Sequence, residues 1–203
     1  MKKTSETNFI NIEKRYWKGR KTLKNEVPWQ VPASIYFMDH LCLPSSRVLE
    51  FGSGGSTLFF ARRCEKVTSV ETDVKWSKSV KDAIKEKEFD NIEYEVVATQ
   101  KELELYAGSQ GSEFTILSVD SVEGYDRSRI LDAYLKKESR ASNLQVIILD
   151  NYGQEILFPN HFNLSLPELI SKLKLESKGV KWKGIDFDDS HWWGNGTRIL
   201  YRA

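Results

Sequence analysis

Short apolar runs recur along this chain, each followed by a turn and then by a stretch of helical period. Val48–Phe51, Val67–Val70, Ile92–Val97, Phe114–Val119 and Val146–Leu149 are brief, rich in valine and isoleucine and bounded by polar residues. That is the pattern of strands buried on both faces. Between them the apolar spacing widens. Trp76, Val80, Ala83 and Ile84 stand at i, i+4, i+7 and i+8, and Ile130, Leu131, Tyr134 and Leu135 also cluster at helical spacing, so each group shares one helix face. Pro32 opens a further helix carrying Ile35, Met38 and Leu41. Ser165–Glu168 reads S-x-x-E with Pro167 in the first turn, a capping box. The helix it starts would bury Leu169, Ile170 and Leu173 and stop at Gly179.

After Gly179 the alternation ends. "VKWKGIDF" and "TRILYR" are strand-like runs separated only by the loop "DDSHWWGNG", and strands joined without a helix pair antiparallel. The pattern as a whole predicts an α/β fold: a mostly parallel sheet covered on both faces and finished by an antiparallel hairpin.

Composition narrows the function classes. The 203 residues suit one mid-sized domain, and a formal charge of +1 supplies no global field toward nucleic acid or an anionic membrane. The basic stretch from Lys14 to Lys24 reads as a solvated N-terminal face. The N-terminus lacks the apolar segment of a secretory signal, and no run is long enough to span a bilayer. Cys42 and Cys64 read as free buried thiols, which fits a cytoplasmic protein. Residues 1–27 are expected to form a charged extension, as a lid, an arm or a tail, ahead of one domain over 28–203.

The chemistry gathers at "VLEFGSGGSTLFFA", Val48 to Ala61. In open α/β sheets ligands bind beyond the carboxyl ends of strands where the strand order reverses, which marks this first strand–turn–helix. Gly52, Gly54 and Gly55 let backbone approach a ligand, and Ser56 and Thr57 open the helix that follows. A dinucleotide fingerprint needs a third glycine where Thr57 stands. Its absence, with Glu50 at the strand end, suits a ligand with a cationic head, such as the ammonium and sulfonium of S-adenosylmethionine. Glu71 ends the second strand, where a carboxylate accepts ribose hydroxyls.

At these residues the chain resembles the class I, Rossmann-like S-adenosylmethionine-dependent methyltransferases, from about Pro28 onward. More narrowly, P-W-x-x-P before E-x-G-S-G-x-S-T, then S-V-E-x-D-x-x-W, is similar to a group of small bacterial methyltransferases, several linked with saccharide biosynthesis. The resemblance implies a three-layer sandwich with a seven-stranded sheet ordered 3-2-1-4-5-7-6, strand 7 antiparallel. It implies that Glu50, Gly52, Ser53, Gly54, Ser56 and Thr57 hold the methionine end of the cofactor and Glu71 its ribose. Asp120 would face the methyl group and the substrate. An acidic residue common after strand 3 in such enzymes is replaced by Ala98-Thr99-Gln100.

Asp120 and the pair Asp150-Asn151 end adjacent strands, and three hard oxygens there suit Mg²⁺. This also resembles the divalent-metal-dependent catechol and caffeoyl-CoA O-methyltransferases. The competing reading is that Asp150-Asn151 ends its strand and faces substrate without metal. Glu123 stands where those enzymes carry a lysine, and the base is left between Glu123 and Asp150. The expected reaction is methyl transfer to a small-molecule hydroxyl, with no nucleic-acid or membrane partner. A dinucleotide oxidoreductase and a non-catalytic module of the same fold are the alternatives. Trp29, Trp192, Trp193, His161 and His191 are candidates to approach the acceptor pocket. Arg127 and Arg129 either bind an anionic substrate or simply start a helix surface.

Overall fold

The computed structural model describes residues 21–121, 125–176, 179–188 and 196–203. The apolar runs become β1 (Arg47–Phe51), β2 (Lys66–Glu71), β3 (Ile92–Val96), β4 (Ile116–Val119) and β5 (Val146–Asp150), all parallel. β6 (Trp182–Phe187) and β7 (Thr197–Arg202) form the terminal hairpin. β7 inserts antiparallel against β5, with Asp150 opposite Thr197. The seven-stranded sheet has the order β3-β2-β1-β4-β5-β7-β6, as the resemblance implies.

Strand side chains alternate between faces, and here the alternation feeds two cores. Leu49, Phe51, Leu117, Val119, Ile147 and Leu149 face one way. There they meet α5 (Gln100–Ser109), α6 (Arg127–Leu135) and α8 (Leu166–Lys172). Val48, Ile116, Val146 and Ile148 face the other way, against α2 (Pro32–Leu41) and α3 (Gly55–Ala61). Helix α4 (Val74–Glu86) follows β2, and the short α1 (Thr22–Asn25) and α7 (Glu138–Asn143) complete the set among the described residues. The molecule is therefore a three-layer α/β sandwich.

Several helix ends follow their sequence signals. Pro32 occupies the first turn of α2, and Ser165 and Glu168 close the capping box of α8. That helix stops at Lys172, well before Gly179. Lys174 takes a left-handed backbone (φ 54°), which turns the chain so that both Leu173 and Leu175 enter the core. Helix α5 has no strong apolar stripe; it is nucleated by Thr99, whose hydroxyl accepts from the Glu102 amide while the Glu102 carboxylate accepts from the Thr99 amide.

Residues 22–27 lie across the start of α3. Val27 is buried, and a Cβ on Gly55 would fall 2.0 Å from the Val27 carbonyl oxygen and 2.8 Å from that of Thr22. Glu26 ties the segment down by pairing with Arg62 and Lys87, both at 2.8 Å. Residues 1–20 lie outside the described residues. Among the described residues no helix is long and apolar enough to cross a membrane.

Candidate cofactor site

The chain leaves β1 toward β2 and β3 on one side and returns to β4 and β5 on the other, so the order reverses between β1 and β4. Beyond their carboxyl ends the backbones nearly touch. Gly52 has φ 91°, its amide donates to the Val70 carbonyl, and a Cβ on it would stand 1.8 Å from the Asp120 carbonyl oxygen. Glycine is required there by both conformation and space. A cavity of about 270 Å³ opens above this junction, lined by Thr22, Trp29, Ser53, Gly54, Gly55, Ser56, Trp76 and Asp120. Of the residues expected to hold cofactor, Ser53, Gly54, Ser56 and Asp120 face it directly; Glu50, Gly52, Thr57 and Glu71 stand behind them.

Glu50 is fully buried. Its Oε2 accepts from Thr57 Oγ1 and Ser69 Oγ, both at 2.6 Å, and Thr57 Oγ1 accepts in turn from the Gly54 amide at 2.9 Å. The carboxylate thereby fixes the turn through Thr57. Its Oε1 is buried and accepts no hydrogen bond from the described residues. Burial pushes the carboxyl up to about 7, against the pull of the nearby Ser56 hydroxyl, which makes no hydrogen bond to it, and of the Ser69 and Thr57 hydroxyls, which do. A buried acid with one unpartnered oxygen fits a ligand that brings a cation.

Glu71 is buried with both oxygens engaged. Oε1 accepts from the amides of Thr72 (2.7 Å) and Asp73 (2.9 Å), and Oε2 accepts from the Ser53 amide (2.9 Å) and hydroxyl (2.6 Å). Because the Ser53 proton goes to Glu71, Tyr94 on β3 donates its own to Ser53 Oγ at 2.7 Å. A ribose hydroxyl reaches Glu71 only by replacing one of these donors, and the Ser53 hydroxyl is the one on a rotatable side chain.

Two further residues escape the sequence pattern. Trp76 shares the helix face of Val80 and Ala83, yet it lies at the cavity lip, 36% exposed, with its indole Nε1 donating to the Ser53 carbonyl at 2.8 Å. It sits in the first turn of α4, which overhangs the sheet end, so the face that packs lower down opens onto the cavity here. Tyr94 reads from sequence as one of a strand's alternating residues, with no signal of its partner.

Arg127, the first residue of α6, is buried and neither faces solvent nor waits for an anion. Its Nη1 donates to the Asp150 carbonyl (2.7 Å) and Asn151 Oδ1 (3.1 Å); its Nη2 donates to the Ser121 carbonyl and lies 3.2 Å from Asp120 Oδ1. Arg129 is on the surface, paired with Glu104 at 2.9 Å. The structure thus brings Asp120 and Asn151 together, but around a guanidinium. Asp150 turns its carboxyl away, to accept from Thr197 Oγ1 at 2.7 Å, and it lines no part of the cavity. Burial raises the Asp150 carboxyl well above its usual range, with the nearby Asp120 adding to the rise. Burial also lifts Asp120, to about 6, while Arg127 pulls it down.

This donor set does not fit Mg²⁺. Mg²⁺ demands near-octahedral oxygens at about 2.0–2.1 Å, and here the oxygens of Asp120 and Asn151 are committed to a cation already in place. At about 4 Å and an effective dielectric constant of about 20, unit charges repel by about 4 kcal/mol, and a dication doubles that. Among the described residues no group of three or more His, Cys, Asp or Glu side chains forms a metal cluster.

Glu123, His191, Trp192 and Trp193 lie outside the described residues. His161 is buried with Nε2 3.1 Å from Asp132 and does not line the cavity. Trp29, 48% exposed, stands at its edge.

No protein-family model matches the chain, and no curated protein matches it. Solved structures do. A Streptococcus mutans protein in complex with S-adenosylhomocysteine aligns with a TM-score of 0.59 at 8% identity, over 87% of this chain and 99% of that one. An O-methyltransferase from Bacillus cereus, also in complex with S-adenosylhomocysteine, gives 0.58 at 18% identity, over 98% and 93%. An rRNA methylase from Streptococcus thermophilus gives 0.56 at 11% identity, over 86% and 97%. At these identities the likeness is one of fold. The chain has the Rossmann-like methyltransferase fold, and the structures sharing it include both O-methyltransferases and rRNA methylases.

Proposed function

We propose that this protein is an S-adenosylmethionine-dependent methyltransferase acting on a small molecule, a hydroxyl of a saccharide or related metabolite. Glu50 carries the reading: a buried carboxylate with one oxygen unpartnered among the described residues, behind a bare glycine turn at the point where the strand order reverses. A cationic ligand relieves that burial, whereas a pyrophosphate would worsen it.

Bound there, the cofactor supplies a methyl group activated on a sulfonium. The protein's part is to align and to move a proton. Ser53, Gly54 and Ser56 hold the methionine end at the cavity wall, with Gly52 and Thr57 fixing the turn behind them. Glu71 takes the ribose as the Ser53 hydroxyl gives way. Methyl transfer is an in-line displacement, so holding the acceptor against the methyl group is most of the catalytic task. In this reading Asp120 takes the acceptor proton, a role supported by its side chain being 25% exposed at the cavity, which Asp150 does not line. Trp29, half-exposed at the cavity edge, adds apolar surface beside the space for the acceptor. Near-neutral charge favours such an acceptor over a polyanion, and the free cysteines fit a cytoplasmic setting.

Calorimetric titration with S-adenosylhomocysteine tests the reading, with NAD as control and Glu71→Ala as the site variant. Micromolar affinity is expected for S-adenosylhomocysteine, at least tenfold weaker in Glu71→Ala, with no heat from NAD. Binding of NAD instead would overturn it. Transfer of a labelled methyl group to a saccharide panel, run beside phenols and RNA, then tests the acceptor class.

A further inference from the structure

We infer that Arg127 is the built-in cation of this site. Its guanidinium takes the place between the ends of β4 and β5 where a divalent ion would gather the same oxygens, and it fixes Asp120 over the cavity without metal.

The geometry is specific to a guanidinium. Three of its terminal N–H groups donate, to the carbonyls of Ser121 and Asp150 and to Asn151 Oδ1, and Nη2 also pairs with Asp120 Oδ1 at 3.2 Å, so four oxygens surround one guanidinium. The acceptors come two from each strand end, as the ligands of a bridging ion would. A residue that only fastened two strands would need the carbonyls alone. Arg127 also takes both side-chain oxygens that a hard cation would use, and it does so from a buried position. Asp120 needs the charge, because it lies near two other buried carboxyl groups: Glu71 acts on it through space, and it acts in turn on Asp150. Lysine offers a compact charge with three donors and cannot span four acceptors lying on two strands. The position of Arg127 is itself determined: Asp126 caps α6 by accepting from the Ser128 and Arg129 amides, and the Arg127 amide donates to the Leu157 carbonyl at 2.8 Å. The inference goes beyond the methyl-transfer reading, because it does not depend on which ligand fills the cavity.

The test is an electron paramagnetic resonance titration with Mn²⁺, which reports the free aqueous ion. Wild-type protein is expected to leave the signal of free Mn²⁺ unchanged up to about 1 mM, the weak end of protein sites for hard dications. Arg127→Met, which keeps length and removes charge, is expected to take up Mn²⁺ at one site per chain, and adding Asp120→Asn is expected to abolish the uptake. Arg127→Lys is expected to stay metal-free. Uptake by the wild type that Asp120→Asn abolishes would overturn the inference, as would a folded Arg127→Met protein that takes up none. If Arg127→Met does not melt cooperatively, wild type against Asp120→Asn decides alone. S-adenosylhomocysteine titrated in the presence of a chelator keeps the two readings apart: loss of that binding strikes the cofactor assignment and leaves the Mn²⁺ result standing.

Discussion

A carboxylate removed from water raises its own proton affinity unless donors or a cation compensate, and Glu50 is compensated at one oxygen only. The consequence is a pH dependence of definite sign. The group moves from an ordinary value of 4.5 to about 7 on folding, so between those pH values the folded chain holds a proton that the unfolded chain has lost. Stability therefore falls as pH rises from about 4.5 to about 7 and levels off above. Over that window the loss amounts to about 3 kcal/mol. Glu50→Gln carries no such proton, so its melting temperature is expected to gain on wild type steadily across the window. Parallel melting curves would show that Glu50 is charged and satisfied in the free protein. Cofactor affinity is expected to run the other way in the wild type, tightening as the carboxylate ionises.

Among the elements, α3 is held from two sides: by Glu50 through Thr57 at its start, and by residues 22–27 laid across Gly55. Gly55→Ala puts a methyl group into the Val27 and Thr22 carbonyls and is expected to lift the segment, costing about 1–3 kcal/mol as overpacking does. Faster amide exchange over residues 22–27 would report the release; unchanged exchange with an unchanged melt would mean that the segment is not docked. These contacts are the part that sequence pattern does not reach. Four of the five parallel strands were legible as short valine- and isoleucine-rich runs buried on both faces. By contrast β3, at the sheet edge, alternates between half-buried and exposed positions and is not buried as its run suggested. The hairpin was legible because a helical period is missing between β6 and β7. The glycine turn and its two glutamates were legible from spacing alone. Helix α5 was not, since it buries little beyond Leu103 and Ala107, although its Thr99–Glu102 capping box stood in the sequence. Periodicity assigned Trp76 to a face correctly but not to a height along that face. Arg127 was illegible for a different reason: its role exists only once β4 and β5 lie side by side, 24 positions of sequence separating it from Asn151.

At the scale of the molecule, the two cores share a single sheet, and β7 completes it between β5 and β6. Ile199 and Leu200 are fully buried, one in each core, and Thr197 holds Asp150. Deleting residues 197–203 is expected to abolish cooperative melting rather than merely lower its midpoint, since both cores lose a wall. Circular dichroism melts and binding of a hydrophobic dye would measure it; a truncated chain with a sharp melt would show that β1 to β5 form an autonomous unit. Order of synthesis adds a further consequence. Thr197 emerges 47 residues after Asp150, which at about 5–20 residues per second is about 2–9 s of translation. Throughout that interval the nascent chain carries β5 as an apolar strand with an open edge, the kind of surface that seeks a foreign strand. The ribosome-bound intermediate is open at that edge, and a chaperone that shields it holds the place that β7 will take.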